Sequence, residues 1–196
     1  EGVYNIGDVM IDIIEKFKTK IDNNIEILTK LDINKGDYIF VTCHRAANTD
    51  NINNLKAILN ALSQIDRKIV FPIHPRTLKI IKENNFEKII DKPNIIKIEP
   101  IGYFDSQTLI KYSDYVITDS GGVTKEAYYH KVPGILVDTQ TEWVETINEG
   151  WNKQAGPNTK KILNFANTIN RPAYHSDCLG DGHASEKIAK ILLKGL

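Results

Sequence analysis

The sequence predicts a doubly wound α/β domain around a parallel sheet. Two observations carry that prediction: short β-branched or aromatic runs alternate with segments of helical periodicity, and nearly every run lacks polar alternation. A strand with no polar face is covered on both sides, as in a sheet wrapped by crossover helices. The 196 residues suffice for one domain with a substantial core.

The opening stretch, EGVYNIGDVMIDII, starts without Met and runs straight into a helix-like pattern, which reads as part of a longer chain. Five runs bounded by turn residues read as strands: Tyr38–Thr42, residues 68–73, Ile95–Ile98, Tyr115–Thr118 and residues 134–137. Apolar residues three and four apart predict helices between and after them, at about 51–64, 77–84, 106–112, 124–129, 142–149, 159–169 and 185–193. The longest irregular stretch is NRPAYHSDCLGDGHAS, before the last helix.

Lys plus Arg and Asp plus Glu both number 25, so no global charge excess points to nucleic acid or an anionic membrane. Any phosphate has to be held locally. Cys43 and Cys178 are too few for a disulfide scaffold and fit no zinc spacing, so a reducing cytoplasm, no metal and a soluble chain are expected. Runs such as YIFVTC and GILV fall far below the ~20 residues of a membrane span, and no signal peptide opens the chain.

In a doubly wound sheet, ligands bind beyond the carboxyl ends of the strands. The first strand ends in CHRAANTDN, with His44 and Arg45 at its tip, and the second ends in FPIHPRT, with His74 and Arg76. One such pair is an ordinary solvated turn; two at neighbouring strand ends favour a convergent anion site. The fourth strand runs into Asp119-Ser120-Gly121-Gly122. Ser120 lacks the Gly-x-Ser-x-Gly elbow of a hydrolase nucleophile, and the dinucleotide and Walker glycine motifs are absent. Gly121 and Gly122 are expected to let the backbone turn sharply into a helix whose free amides cradle phosphate. Glu126, one turn on, is placed to accept from vicinal sugar hydroxyls. The plainer roles are an N-cap for Ser120 and a dipole-complementing carboxylate for Glu126. Asp119 reads as a turn cap rather than a buried acid. Trp143, with Glu142 and Glu145, reads equally as pocket lining or as an ordinary helix start, and Asp181 and His183 as a turn and cap.

The segments GDVMID, VTCHRAAN, FPIHPRT, EPIGYFD, TDSGGVTKEAYYHKVPGILVDTQTEWVETINEGWN and GDGHASEKIAKIL, in this order and spacing, resemble the non-hydrolysing UDP-N-acetylglucosamine 2-epimerases through essentially the whole chain. The resemblance implies two Rossmann-like domains in the glycosyltransferase-B arrangement, of which this chain is the second, UDP-binding one. It implies that Ser120, Gly121 and Gly122 hold the diphosphate and that Glu126 binds the ribose. It further implies that His44 approaches the diphosphate and is needed for activity, and that backbone atoms around Ile101 hold the uracil. Arg45 and His74 join the substrate-binding set. The implied reaction inverts C2 of the sugar by elimination and re-addition of UDP, without a cofactor.

On that reading residues 1–20 form an interdomain helix region, 21–184 the UDP-binding domain, and 185–196 a helix packing back toward a missing N-terminal catalytic domain. The whole enzyme is expected to be a homodimer. Three positions depart from the family pattern: Ala47 replaces a frequent Glu, Ser106 an aromatic residue, and Trp143 an Arg. The runs GDVM and TEWVE resemble a subgroup that includes epimerases of UDP-diacetamido uronic acids. A UDP-sugar glycosyltransferase domain and a non-catalytic nucleotide-sugar-binding regulator are the competing expectations.

Overall fold

The structure is a computed structural model that describes residues 2–194. Residues 1, 195 and 196, on which the outer ends of the expected 1–20 and 185–196 segments fall, lie outside the described residues. Helices α1 (Val9–Lys16), α2 (Lys18–Asn23) and α3 (Glu26–Lys30) precede strand β1 (Tyr38–Thr42). Helices α4 (Ala46–Thr49) and α5 (Ile52–Leu62) lead to β2 (Lys68–Pro72), and α6 (Pro75–Glu83) leads to β3 (Ile95–Ile98). Then follow α7 (Tyr103–Lys111), β4 (Tyr115–Thr118), α8 (Gly121–Tyr129), β5 (Gly134–Leu136) and α9 (Val144–Asn148). The chain continues through β6 (Asn152–Gln154), α10 (Thr159–Thr168) and α11 (Ala184–Leu193).

All six strands pair in parallel in the order β3-β2-β1-β4-β5-β6, with Thr42 opposite Thr118 at the centre. The chain winds outward from β1 to β3, returns to β4, and winds the other way. The reversal between β1 and β4 opens a crevice at their carboxyl ends.

Both faces of the sheet are buried, as the unbroken apolar runs predict. Ile39, Val41, Phe71 and Ile117 meet Leu55, Ile58, Leu59 and Leu62 of α5, Ile81 of α6 and Ile162 of α10. Tyr38, Phe40, Val70 and Val116 meet Leu109 and Ile110 of α7 and Val123 and Ala127 of α8. Leu55, Ile58, Leu59 and Leu62, spaced i, i+3, i+4 and i+7, are all 0% exposed. Burying each such side chain contributes roughly 1.5–3 kcal/mol.

The structure corrects several expected boundaries. The second strand stops at Pro72 and the fifth at Leu136, while α7 and α8 begin three residues before the expected 106 and 124. Ser120 caps α8 and sets its start, whereas α7 starts directly after Gly102 without a side-chain cap. The edge strand β6 was not foreseen; its sequence, Asn-Lys-Gln, has no apolar residue. It fits because Gly134 has no side chain: a Cβ there would stand 2.3 Å from Oδ1 of buried Asn152.

Near its two ends the described chain closes on itself. Gly7 and Gly180 both take positive φ, 88° and 97°. A Cβ on Gly7 would lie 2.8 Å from the Gly180 Cα, and one on Gly180 2.7 Å from the Gly7 Cα. Only glycines allow both the conformation and the approach. Asp8 N–H donates to the Leu179 carbonyl at 2.8 Å, and Asp12 of α1 caps α11 by accepting from Ala184 N–H at 2.9 Å and Ser185 N–H at 2.6 Å.

Candidate UDP-binding site

Adjacent carboxyl ends of β1 and β4 place the expected residues side by side. Thr42 and Thr118 pair through their hydroxyls at 2.6 Å, and Thr118 Oγ1 also accepts from Ser120 N–H at 2.9 Å. Ser120 is the N-cap of α8: its Oγ accepts from Val123 N–H at 3.4 Å, and its carbonyl accepts from the Thr124 hydroxyl at 2.8 Å. The plainer role is therefore real, and it leaves the amides of Gly121 and Gly122 at the mouth of a nine-residue helix facing the crevice. The chain turns from β4 into α8 within two residues, but without the conformations open only to glycine. Neither Gly121 nor Gly122 has positive φ, so any residue suits their backbone. Space is the reason at Gly121, where a Cβ would meet Arg45 Nη2 and Trp143 Nε1 at 3.3 Å.

His44 and Arg45 follow β1. Arg45 pairs with Asp138, just past β5, at 2.9 Å. The His44 ring lies 5.5 Å from that of His74, centroid to centroid, so the two basic strand tips do converge. Nδ1 of His74 accepts from Arg76 N–H at 3.1 Å and caps α6, which leaves Nε2 as its outward nitrogen. Arg76 does not join them: its guanidinium is held by Asp50 at 2.5 and 2.7 Å. Ile101 lies in the loop between β3 and α7, part-buried against the cluster beneath.

Glu126 is 8% exposed on α8. Burial pushes its carboxyl above the ordinary value, opposed by the nearby Gln107 amide and Lys125 ammonium. Gln107 Nε2 is close enough to favour the carboxylate yet has no hydrogen-bond partner. Burial first, and the Glu126 charge second, push the Tyr103 hydroxyl up to about 12.

Sequence reasoning underrated Asp119. It is 3% exposed and accepts from His44 N–H at 2.9 and 3.1 Å, Arg45 N–H at 2.9 Å and Asn48 Nδ2 at 3.1 Å. It is a buried acid, and the turn it caps belongs to another strand. Asp138 was missed, although an acid directly after a predicted strand is a legible signal. Lys125 was also missed: it is 8% exposed, bonds Asp8 at 2.5 Å and lies 4.6 Å from the Trp143 ring centroid. Trp143 Nε1 is buried without a hydrogen-bond partner beside the start of α8. Asp181 accepts from His183 N–H and Lys187 as a turn ahead of α11, but His183 makes no side-chain cap bond and Asp12 supplies the cap instead.

At the mouth of α8 a cavity of about 10 Å³ lies between Arg45, Asp119, Gly121 and Asp138, and a hollow of about 380 Å³ lies alongside, lined by Asp8, Val9 and Trp143. Further hollows lie elsewhere: one of about 300 Å³ between α6 and β3, and one of about 500 Å³ around Lys18, Tyr129, His130 and Asp181. The first is apolar and the second lies at the far end of α8, so neither offers the convergent donors of the crevice. Among the described residues no cluster of His, Cys, Asp or Glu is placed to hold a metal ion, and no helix is long and apolar enough to cross a membrane. Helix amides, Ser120, His44 and Arg45 form a donor set suited to a phosphate, and the Glu126 carboxylate an acceptor suited to hydroxyls.

The family model for UDP-N-acetylglucosamine 2-epimerase matches residues 1–193. The chain belongs to the UDP-N-acetylglucosamine 2-epimerase family. A UDP-N-acetylglucosamine 2-epimerase homolog of Methanococcus maripaludis is 42% identical over 97% of this chain and 54% of its own length. A UDP-2,3-diacetamido-2,3-dideoxy-D-glucuronate 2-epimerase of Pseudomonas aeruginosa is 34% identical over 98% of the chain and 53% of its own length. The crystal structure of the Methanocaldococcus jannaschii UDP-GlcNAc 2-epimerase, in complex with UDP-GlcNAc and UDP, superposes with a TM-score of 0.89 at 34% identity. That match covers 98% of this chain and 55% of that one. The chain spans about half the length of the curated relatives it matches.

Proposed function

We propose that this chain is the UDP-binding half of a UDP-sugar 2-epimerase that interconverts UDP-N-acetylglucosamine and UDP-N-acetylmannosamine. One observation carries the reading: the α8 mouth, with Ser120, Gly121 and Gly122, lies beside His44 and Arg45 at the topological switch point, and buried Glu126 stands one turn along the same helix. The diphosphate sits on the α8 amides and the Ser120 hydroxyl, with Arg45 and His74 as further donors. Glu126 accepts from the ribose hydroxyls, and the backbone around Ile101 receives the uracil.

The reaction breaks the C2–H bond and the C1–O bond to UDP, forming a glycal. UDP then adds back to C1 as a proton returns to C2 from the other face. This chain stabilises the departing diphosphate, with His44 the acid or charge partner. The proton transfers at C2 need positioned groups on both faces of the sugar. Here Asp119 is saturated with donors and Glu126 is taken by the ribose, so those acids come from the missing N-terminal domain of a glycosyltransferase-B pair. The 1–20, 21–184 and 185–196 divisions, the homodimeric whole enzyme and a cytoplasmic location are part of this proposal. Two free cysteines, Cys43 and Cys178, support a reducing compartment.

Titrating UDP is expected to perturb the amides of residues 120–123, and Glu126→Ala to cost roughly 1–3 kcal/mol of binding. Unchanged affinity in that variant removes Glu126 from the ribose. Full-length enzyme is expected to exchange solvent deuterium into C2 without an acceptor, and residues 1–196 alone to be silent. Acceptor-dependent UDP release would make the protein a glycosyltransferase instead. The Pseudomonas relative and Trp143 beside Gly121 favour a second reading, an epimerase of a UDP-diacetamido uronic acid. Turnover of UDP-N-acetylglucosamine alone would exclude it.

A further inference from the structure

We propose that Asp119 is the positioning residue that holds His44 and Arg45 in register with the phosphate cradle; the inference rests on the functional reading above. Asp119 follows β4 and directly precedes Ser120, yet its carboxylate reaches across to the neighbouring strand and gathers the N–H groups of His44 and Arg45 and the Asn48 amide. Asn48 in turn donates to the Val137 carbonyl at 3.3 Å, tying in the end of β5. The short helix α4 that follows has Arg45 at its N-cap, and no side chain of its own sequence caps it. The Asp119 carboxylate does not cap α4 but holds the two amides just ahead of it, those of His44 and Arg45. An ionised carboxylate offers only acceptors, which suits a place where every neighbour is a donor.

The α8 mouth is fixed separately. Its bonds run from Ser120 N–H to Thr118 Oγ1, from Val123 N–H to Ser120 Oγ, and from Thr124 Oγ1 to the Ser120 carbonyl. None uses the Asp119 carboxylate. Loss of its acceptors consequently loosens the turn bearing His44, while the Arg45 guanidinium stays anchored on Asp138 at 2.9 Å and the α8 seat of the diphosphate stays in place. Misplacement by about 1 Å costs up to 10²-fold in rate. The role thus carries its own signature, a turnover loss without a matching binding loss.

Asp119→Asn keeps the shape but turns an NH₂ toward a donor. In the full-length enzyme it is expected to lower kcat roughly 10–100-fold while UDP affinity by calorimetry stays within about threefold. Parallel loss of kcat and UDP affinity, or no loss of kcat, overturns the proposal. Should the variant fail to fold, hydrogen exchange of the unsubstituted enzyme decides. The His44 and Arg45 amides, outside any strand or helix, are expected to be strongly protected, and rapid exchange overturns the role. An unsubstituted enzyme that binds no UDP and exchanges no deuterium at C2 sinks the functional reading first, and this role with it, whatever the amide protection.

Discussion

A Cβ on Gly121 would press on Arg45 Nη2 and Trp143 Nε1 at 3.3 Å, whereas one on Gly122 would make ordinary contacts with Met10 Cε at 3.5 Å and Ser120 Oγ at 3.6 Å. Gly121→Ala is thus expected to displace the two donor tips and weaken UDP binding by about tenfold, or 1.4 kcal/mol, read by calorimetry. Gly122→Ala is expected to stabilise the free protein by roughly 0.4–1 kcal/mol in thermal unfolding, because its backbone is already helical. A lower Tm would mean the cradle holds strain at that position. Glu126 yields a pH prediction. Burial raises its folded-state pKa, so folding is penalised once the carboxylate must ionise. The penalty appears as pH rises from the unfolded value through the folded one and is absent below both. Glu126→Gln should therefore unfold at a higher temperature than the parent near pH 7, and at the same one below about pH 4. Saturating UDP should reverse the order at pH 7; no reversal would count against a ribose contact.

Helix α11 starts on a borrowed cap. Burial works against ionisation of Asp12, but the Ser185 hydroxyl and the Ser185 and Ala184 amides outweigh it and hold the carboxyl below its usual value. Its stabilisation is present above the unfolded pKa and fades as pH falls through the folded one. Asp12→Ala is expected to cost about 0.5–2 kcal/mol at neutral pH and to lose hydrogen-exchange protection in α11 first; equal protection would mean the cap is idle. Such partnerships mark where the sequence stops being legible. The strands whose residues are apolar on both faces, and the amphipathic α5, declare themselves through local spacing. Strand β6 does not, since Asn152 is buried only because Gly134, eighteen positions earlier, leaves room for it. The Ser120, Gly121, Gly122 and Glu126 set is legible because it is contiguous, and the His44–His74 approach because both follow strands. Asp119 misleads, because its donors at His44 lie 75 residues away and a single letter carries no trace of them.

At the scale of the whole molecule, α8 connects two chemically distinct ends. Its mouth serves the crevice, and its far end carries His130, whose Nε2 meets Gln107 Oε1 at 2.9 Å. Burial first, then the Lys111 charge, pushes the His130 pKa down to about 3, so the fold holds the ring neutral. Between the ordinary value near 6.5 and about 3, the unfolded chain binds a proton that the folded one refuses. Stability is accordingly lost as pH drops through that window. His130→Gln should flatten the decline of Tm with acidification, and an unchanged slope would show that other groups govern it. The backbone contact between Gly7 and Gly180 fixes where the chain enters α1. Asp8, one residue on, grips Lys125 of α8 at 2.5 Å, and Met10 Cε stands over Gly122. The segment around residues 7–12 consequently touches both the start of α11, through Asp12, and the first turns of α8, through Asp8 and Met10. Displacing the segment where the chain enters α1 would therefore disturb its contacts with α11 and with the first turns of α8 together.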